Sequence, residues 1–384
     1  MKKVYFTKDN LTENINCALN NPVVLENQHE NPYYGLDFRR WQSAPCVAVT
    51  KKGRIFCTFS GDNSNEAWEC PNNYNQISYS DDNGNTWHHE AFVIDHMESV
   101  RLHEPILWIS PDGVLHHFWS QSYEWYDGRA GVWTMSCAEP DAEKIVWSVP
   151  RRICDGVMAC PPIAYSEKEW LYPVSVWKHY QGRLFSLPNL EKSNVYVSTD
   201  GGKTLVFRGA ADEPETLFDE NAVTKRHDGS LIMTMRCITK ISYSESFDRG
   251  VNWTTPKKLM NHTSSRSFLC TLPSGNIVLV TNDDSKKRSN MTAFLSLDGG
   301  LSYKYKLLLD ARCETSYPAG CVTSDGKVYV AYDYNRTTDK EVCLACFTEE
   351  EIINGCHSEK IKIVAKAGKR LKNNSAKVKS YANE

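Results

Sequence analysis

Short apolar runs of strand length recur along the chain in pairs, each pair folded about a polar turn. Six such units align on their turns. APCVAVTKKGRIFCTFS turns at Gly53, EPILWISPDGVLHHFWS at Gly113 and CPPIAYSEKEWLYPVSV at Glu169. ENAVTKRHDGSLIMTMR turns at Gly229, RSFLCTLPSGNIVLVTN at Gly275 and YPAGCVTSDGKVYVAYD at Gly326. The pair Asp228-Gly229 favours a tight hairpin, because both residues tolerate the positive φ that such turns need. The steps between turns are 60, 56, 60, 46 and 51 residues. A period near 50 built only of short strands predicts an all-β, six-bladed β-propeller with about four strands per blade. A helical period is expected only in Thr348–Gly355, where three glutamates suit a helix N-terminus.

A second repeat runs between the hairpins, with the form Ser-x-Asp-x-Gly-x-x-aromatic. Its copies start at Ser80, Ser246 and Ser296, and a weaker one at Ser198 ends in Leu205. The Asp can accept backbone N–H bonds across a turn, the Gly supplies positive φ, and the aromatic ring fills the gap between strands. The last three copies lie 48 and 50 residues apart, in phase with the hairpins. A calcium loop at Asp81-Asp82-Asn83-Gly84 would need a further Glu and helical flanks, which the sequence lacks. The expected layout is an irregular lead-in over 1–40, the propeller over 41–358 and a basic tail over 359–384.

Composition narrows the function. A net charge of −3 gives no general attraction to nucleic acid or anionic membrane. Fourteen cysteines without a pairing pattern read as reduced thiols, and no signal peptide or membrane span is apparent, so a cytoplasmic protein is expected. Cys343-Leu344-Ala345-Cys346 has no second ligand pair at zinc spacing, and no cofactor is expected.

In a propeller the innermost strands start near the axis, so equivalent positions of the repeats face one another. Nine residues before the turns the column is Ala44, Glu104, Cys160, Glu220, Arg266 and Tyr317. One residue earlier it includes His103, and seven after the turns it includes Arg236. Opposite charges with a Tyr at the mouth of a closed ring predict a site for a small polar ligand. Tyr, with an ordinary pKa of about 10, is a poor nucleophile unless a nearby Glu takes its proton. A neutral nucleophile suits a substrate that is anionic at the reacting centre, and arginines would clamp its carboxylate.

With these features the chain resembles the sialidase (neuraminidase) superfamily, six-bladed propellers with Asp-box repeats. The boxes at Ser80, Ser246 and Ser296 match that motif. The resemblance implies Tyr317 as nucleophile, Glu220 as its partner, and Arg236 and Arg288 as carboxylate-binding arginines. It departs at Ser43-Ala44-Pro45, where the family carries Arg-Ile-Pro, so Arg39 or Arg40 is the expected substitute. The catalytic acid is expected in the loop SGDNSNEAWEC, with Asp62 chosen over Glu66. Glu104, His103 and Arg266 join the substrate-binding set. The implied activity is a retaining exo-glycosidase acting on a terminal acidic sugar. The alternatives are a propeller glycosidase for another sugar and a non-catalytic glycan-binding module.

Overall fold

A computed structural model describes residues 15–178, 184–356 and 361–368. Twenty-four of its strands form six antiparallel four-stranded sheets, each built from consecutive strands, and blade 1 adds a fifth strand on its outer edge. The innermost strands are Trp41–Val49, Val100–Ile109, Ile163–Ala164, Thr216–Lys225, Phe268–Thr271 and Thr315–Val322. The six aligned hairpins are therefore the inner two strands of blades 1 to 6. The second strands are Ile55–Asp62, Leu115–Tyr123, Trp170–Ser175, Leu231–Cys237, Ile277–Asn282 and Val328–Tyr334.

Two outer strands lie beyond the expected propeller limits. Val23–Glu26 pairs with His88–Asp95 as the fifth strand of blade 1, and Lys362–Lys366 closes blade 6 against Glu341–Phe347. The rest of the basic tail, after residue 368, lies outside the described residues, as do residues 1–14. The short helix Glu349–Asn354 forms where expected, capped by Thr348 and Glu351 in a reciprocal capping box.

Because every blade is made from one continuous stretch, the ring closes without a shared sheet between first and last blades. Apolar packing joins them instead: Val47, Ile55, Cys57 and Phe59 of blade 1 meet Tyr329, Ala331, Val342 and Leu344 of blade 6. Polar bonds fix the register of that seam. Asp333 of blade 6 accepts from Ser43 Oγ and the Ala44 N–H across the seam, and from Ser316 within its own blade.

At the rim, all four Ser-x-Asp-x-Gly turns adopt one geometry. In blade 5, Ser296 Oγ donates to Asp298 at 2.7 Å and accepts the Gly300 N–H at 2.7 Å. Ser302 then donates to Asp298 through both its N–H and its hydroxyl. Gly300 sits at φ +88°, and a Cβ there would come within 2.9 Å of Ile232 in blade 4. The turn thus locks its own blade and packs on the next one.

Candidate active site

Inward-turned bulges build the mouth. In blades 1, 2 and 6 the innermost strand carries one extra residue against its neighbour, between Ser43 and Cys46, His103 and Ile106, and Ser316 and Ala319. At each break one residue takes a left-handed conformation: Ala44 (φ 54°), Glu104 (φ 50°) and Tyr317 (φ 56°). Each is followed by a proline, which has no N–H to contribute to a ladder and so tolerates the break. In blade 4 a longer irregularity between Thr216 and Asn221 interrupts the ladder at Glu220, without the left-handed residue or the proline. Left-handed non-glycine residues cost energy and persist where their surroundings hold them, as here at the axis.

Tyr317, 7% exposed, is surrounded by guanidiniums. Those of Arg336, Arg288, Arg266 and Arg236 lie 4.7, 4.8, 5.0 and 5.9 Å from its ring centre. Arg236 also binds Glu220 at 2.8 Å, so the tyrosine and this carboxylate converge on one guanidinium. Arg266, almost fully buried, is paired with Glu104 across the axis, from blade 5 to blade 2. Burial and the neighbouring carboxylates Glu220 and Glu69 raise the Glu104 carboxyl above its ordinary range, with Arg266 opposing. Arg288 is braced by the Ser264 carbonyl.

Three members of this cluster, Arg336, Glu69 and Arg101, escape the reading of the sequence. Arg336 stands in the loop after the second strand of blade 6 and reaches Ser43 Oγ at 3.4 Å. It therefore fills the space beside Ser43-Ala44-Pro45, where an arginine was missing. Glu69 binds Arg336 at 3.1 Å and Arg101 at 2.9 Å, and its side chain is 26% exposed. Burial works against its charge. The guanidiniums of Arg101, Arg336, Arg288 and Arg236 outweigh it and hold the carboxyl below the usual range.

Four expected residues are placed differently. Asp62 is fully buried, and its oxygens accept the Ser64 N–H at 3.0 Å and the Ser64 hydroxyl at 2.7 Å. An enclosed carboxylate cannot be presented to a glycosidic oxygen, so the structure does not support Asp62 as the acid. Arg39 is also fully buried, bound to Glu90, Gln42 and the Tyr34 carbonyl inside blade 1. Arg40 is half-buried beside it, with its N–H on the Asp62 carbonyl, and no contact among the described residues joins it to Tyr317. His103 is buried against Trp177, and burial, with Arg101, pushes its pKa well below the ordinary value, so the ring is neutral.

One side of the mouth is aromatic. Trp125, Tyr126, Trp177 and Phe218 pack together, with Arg101 over Trp125 at 4.8 Å and Arg236 over Phe218 at 4.9 Å. Arg129 lies over Phe185, and Asp127 binds the backbone N–H groups of Arg129 and Ala130, so the chain turns tightly behind this wall. The opposite end of the axis opens into a cavity of about 420 Å³, lined mainly by apolar residues of all six innermost strands.

Comparison with known proteins fits this geometry. No curated protein matches the chain. A Hadza microbial sialidase, Hz136, superposes with a TM-score of 0.66 at 17% identity, covering 83% of this chain and 68% of the other. The NanB sialidase of Streptococcus pneumoniae gives 0.62 at 11% identity, covering 84% and 71%. An α-L-arabinanase of Penicillium chrysogenum gives 0.58 at 14% identity, covering 87% and 99%. At such identities the shared property is the fold. Residues 53–330 match the BNR repeat-like domain family, and the chain belongs to that family as a sialidase-like six-bladed propeller.

Proposed function

We propose that the protein is a retaining exo-glycosidase that releases a terminal acidic sugar, sialic acid or a close relative, from a small oligosaccharide. The observation that carries this reading is Tyr317 ringed by four guanidiniums, one of them shared with Glu220. Five guanidiniums around the mouth (Arg101, Arg236, Arg266, Arg288 and Arg336) face four carboxylates (Glu69, Glu104, Glu220 and Asp333). The excess of one positive charge suits a substrate with one carboxylate. Arg236, Arg288 and Arg336 would hold that group, leaving the anomeric carbon over the Tyr317 hydroxyl.

Tyr317 Oη then attacks the anomeric carbon while Glu220 takes the phenolic proton, and the bond to the leaving oxygen breaks as Glu69 protonates it. In the second step water, deprotonated by Glu69, attacks the anomeric carbon and the bond to Tyr317 breaks as Glu220 returns the proton to the phenolic oxygen, so the configuration is retained. The carboxylate nucleophile common among retaining glycosidases would be repelled here by the substrate's own charge, which a neutral tyrosine avoids. In the resting site Glu69 is held ionised by Arg101 and, beside it, by the three arginines that would take the substrate carboxylate. Substrate binding cancels much of that field and lets Glu69 carry a proton. The similarity in fold to sialidases agrees with this reading. We place the reaction in the cytoplasm, where the free thiols would stay reduced.

A second reading rests on the raised Glu104: with Glu220 it would form a carboxyl pair acting on a neutral sugar. A panel of aryl glycosides separates the two. Turnover of an aryl α-sialoside, with the first-formed product retaining its configuration by proton NMR, supports the first. Turnover confined to a neutral glycoside selects the second, and sugar binding without turnover of any glycoside identifies a binding module.

A further inference from the structure

The loop between the second and third strands of blade 1 does more than place Glu69. Of the eleven tryptophans in the chain, only Trp68 is exposed, at 46%, and it is the residue next to Glu69. A single exposed apolar side chain needs no explanation by itself. This one is held in place by a ladder of bonds between alternate residues. Asp62 binds Ser64, Ser64 Oγ accepts the Glu66 N–H at 3.3 Å, and Glu66 accepts the Trp68 indole N–H at 3.1 Å.

Asn73 completes the brace. Its amide donates to the Trp68 carbonyl at 2.9 Å, its side-chain oxygen accepts the Cys70 N–H, and its carbonyl accepts the Leu102 N–H of blade 2. Ala67, between Glu66 and Trp68, is held at φ +51°. A strained backbone and a tethered indole keep an aromatic face turned to solvent, with the exposed Glu66 carboxylate at its edge. This explains what the buried Asp62 does: it anchors the ladder.

We propose that Trp68 and Glu66 form the subsite for the leaving group, taking a neutral pyranose. The apolar face of the sugar ring would stack on the indole, and its hydroxyls would donate to Glu66. The placement rests on the reading of Glu69 as proton donor. A proton donor stands at the bond being cleaved, so the loop that carries both Glu69 and Trp68 would lie beside the departing sugar.

The test uses the full-length protein and two readouts. In the first, lactose is titrated into the unreactive Tyr317→Phe protein and followed by saturation-transfer NMR on the sugar. Saturable binding is expected, weakened at least tenfold when Trp68→Ala is added and largely restored by Trp68→Phe. In the second, the wild-type background is assayed with sialic acid linked to lactose and with a sialosyl fluoride, whose leaving group is a single atom. Trp68→Ala is expected to lower kcat/KM at least tenfold on the first substrate, chiefly through KM, and less than twofold on the second. Absence of lactose binding, or binding indifferent to Trp68, overturns the subsite. An equal loss on both substrates overturns it too, since the effect would then not depend on the departing sugar. If the chain cleaves no sialoside, the NMR titration still decides the subsite separately from the proposed reaction.

Discussion

The rim of blade 5 and the hub beside blade 6 treat repetition in opposite ways. At the rim, Asp82, Asp200, Asp248 and Asp298 each receive the same bonds from a Ser two residues before and from a Thr, Asn or Ser four residues after. At the hub, one column position holds Ala44, Glu104, Cys160, Glu220, Arg266 and Tyr317, and no blade uses it as another does except the two glutamates. A geometry satisfied identically in several blades is what a repeated fold requires. A position whose backbone repeats while its chemistry diverges is where the ring has been given over to a ligand. The bulges show the same division: Ala44, Glu104 and Tyr317 share a conformation and a following proline, but no side-chain chemistry.

The sharpest way to break this comparison is to alter the hub without touching the fold. Tyr317→Phe removes one oxygen and keeps the ring that four guanidiniums surround. Sialoside turnover should fall by at least about 10³-fold, the scale for losing a nucleophile, with the thermal midpoint unchanged within a degree or so. If activity survives, the carboxyl-pair reading replaces the tyrosine. Arg336→Ala comes next. Loss of one charge-assisted contact to the substrate should cost about 10²-fold in kcat/KM on an acidic substrate, mostly in KM. The same change at Arg40, which no contact joins to the cluster, should leave the kinetics alone. A reversal of that order would restore the assignment suggested by the sequence.

The blade bodies supply a third, pH-dependent contrast. His117 is fully buried, bonded to Thr58 at 3.1 Å, and burial lowers its pKa to about 3. The unfolded chain binds a proton there below about pH 6.5 and the native state does not, so stability falls as pH drops from 6.5 towards 3. At pH 5 the loss is about 2 kcal/mol from this residue alone. His117→Gln should lower stability at pH 7 yet reduce the difference between denaturant unfolding at pH 7 and pH 5 by about that amount. A difference that stays the same would mean that another group governs the acid response.

How much of this was legible in the sequence follows from the same division. Turns announce themselves locally, because Gly at positive φ and Ser-x-Asp-x-Gly need only their own neighbours, so the six hairpins and the four rim turns could be read directly. Tyr317, Glu220, Arg236, Arg266 and Glu104 were found by counting from those turns. Glu69 and Arg336 could not be found so, because they stand in loops after the second strands, and these loops differ in length from blade to blade. Asp62 fits the expected acid by residue type and loop, but its burial comes from packing that no local pattern encodes. Prolines inside the innermost strands at Pro45, Pro105 and Pro318 were an unused signal of the bulges. The edge strand Lys362–Lys366 reads as a polar tail because it packs on one side only.

The smallest effect is expected at the rim, where it isolates folding from function. Asp298 accepts from Ser296, from the Leu301 and Ser302 N–H groups and from the Ser302 hydroxyl. Burial opposes its charge, but those bonds hold the carboxyl below its ordinary value. Its contribution is therefore complete above about pH 4 and is lost only as pH falls through the depressed value, well below the onset of the histidine effect. Asp298→Ala should cost about 1 kcal/mol at pH 7, since much of the bonding is solvent-exposed and each bond is worth little net. Asp298→Asn, which keeps an acceptor, should cost less. Neither should alter kcat/KM on any glycoside, measured below the lowered unfolding midpoint. A rim substitution that changed catalysis without unfolding the chain would couple the two regions, and the hub could then no longer be read apart from the ring that carries it.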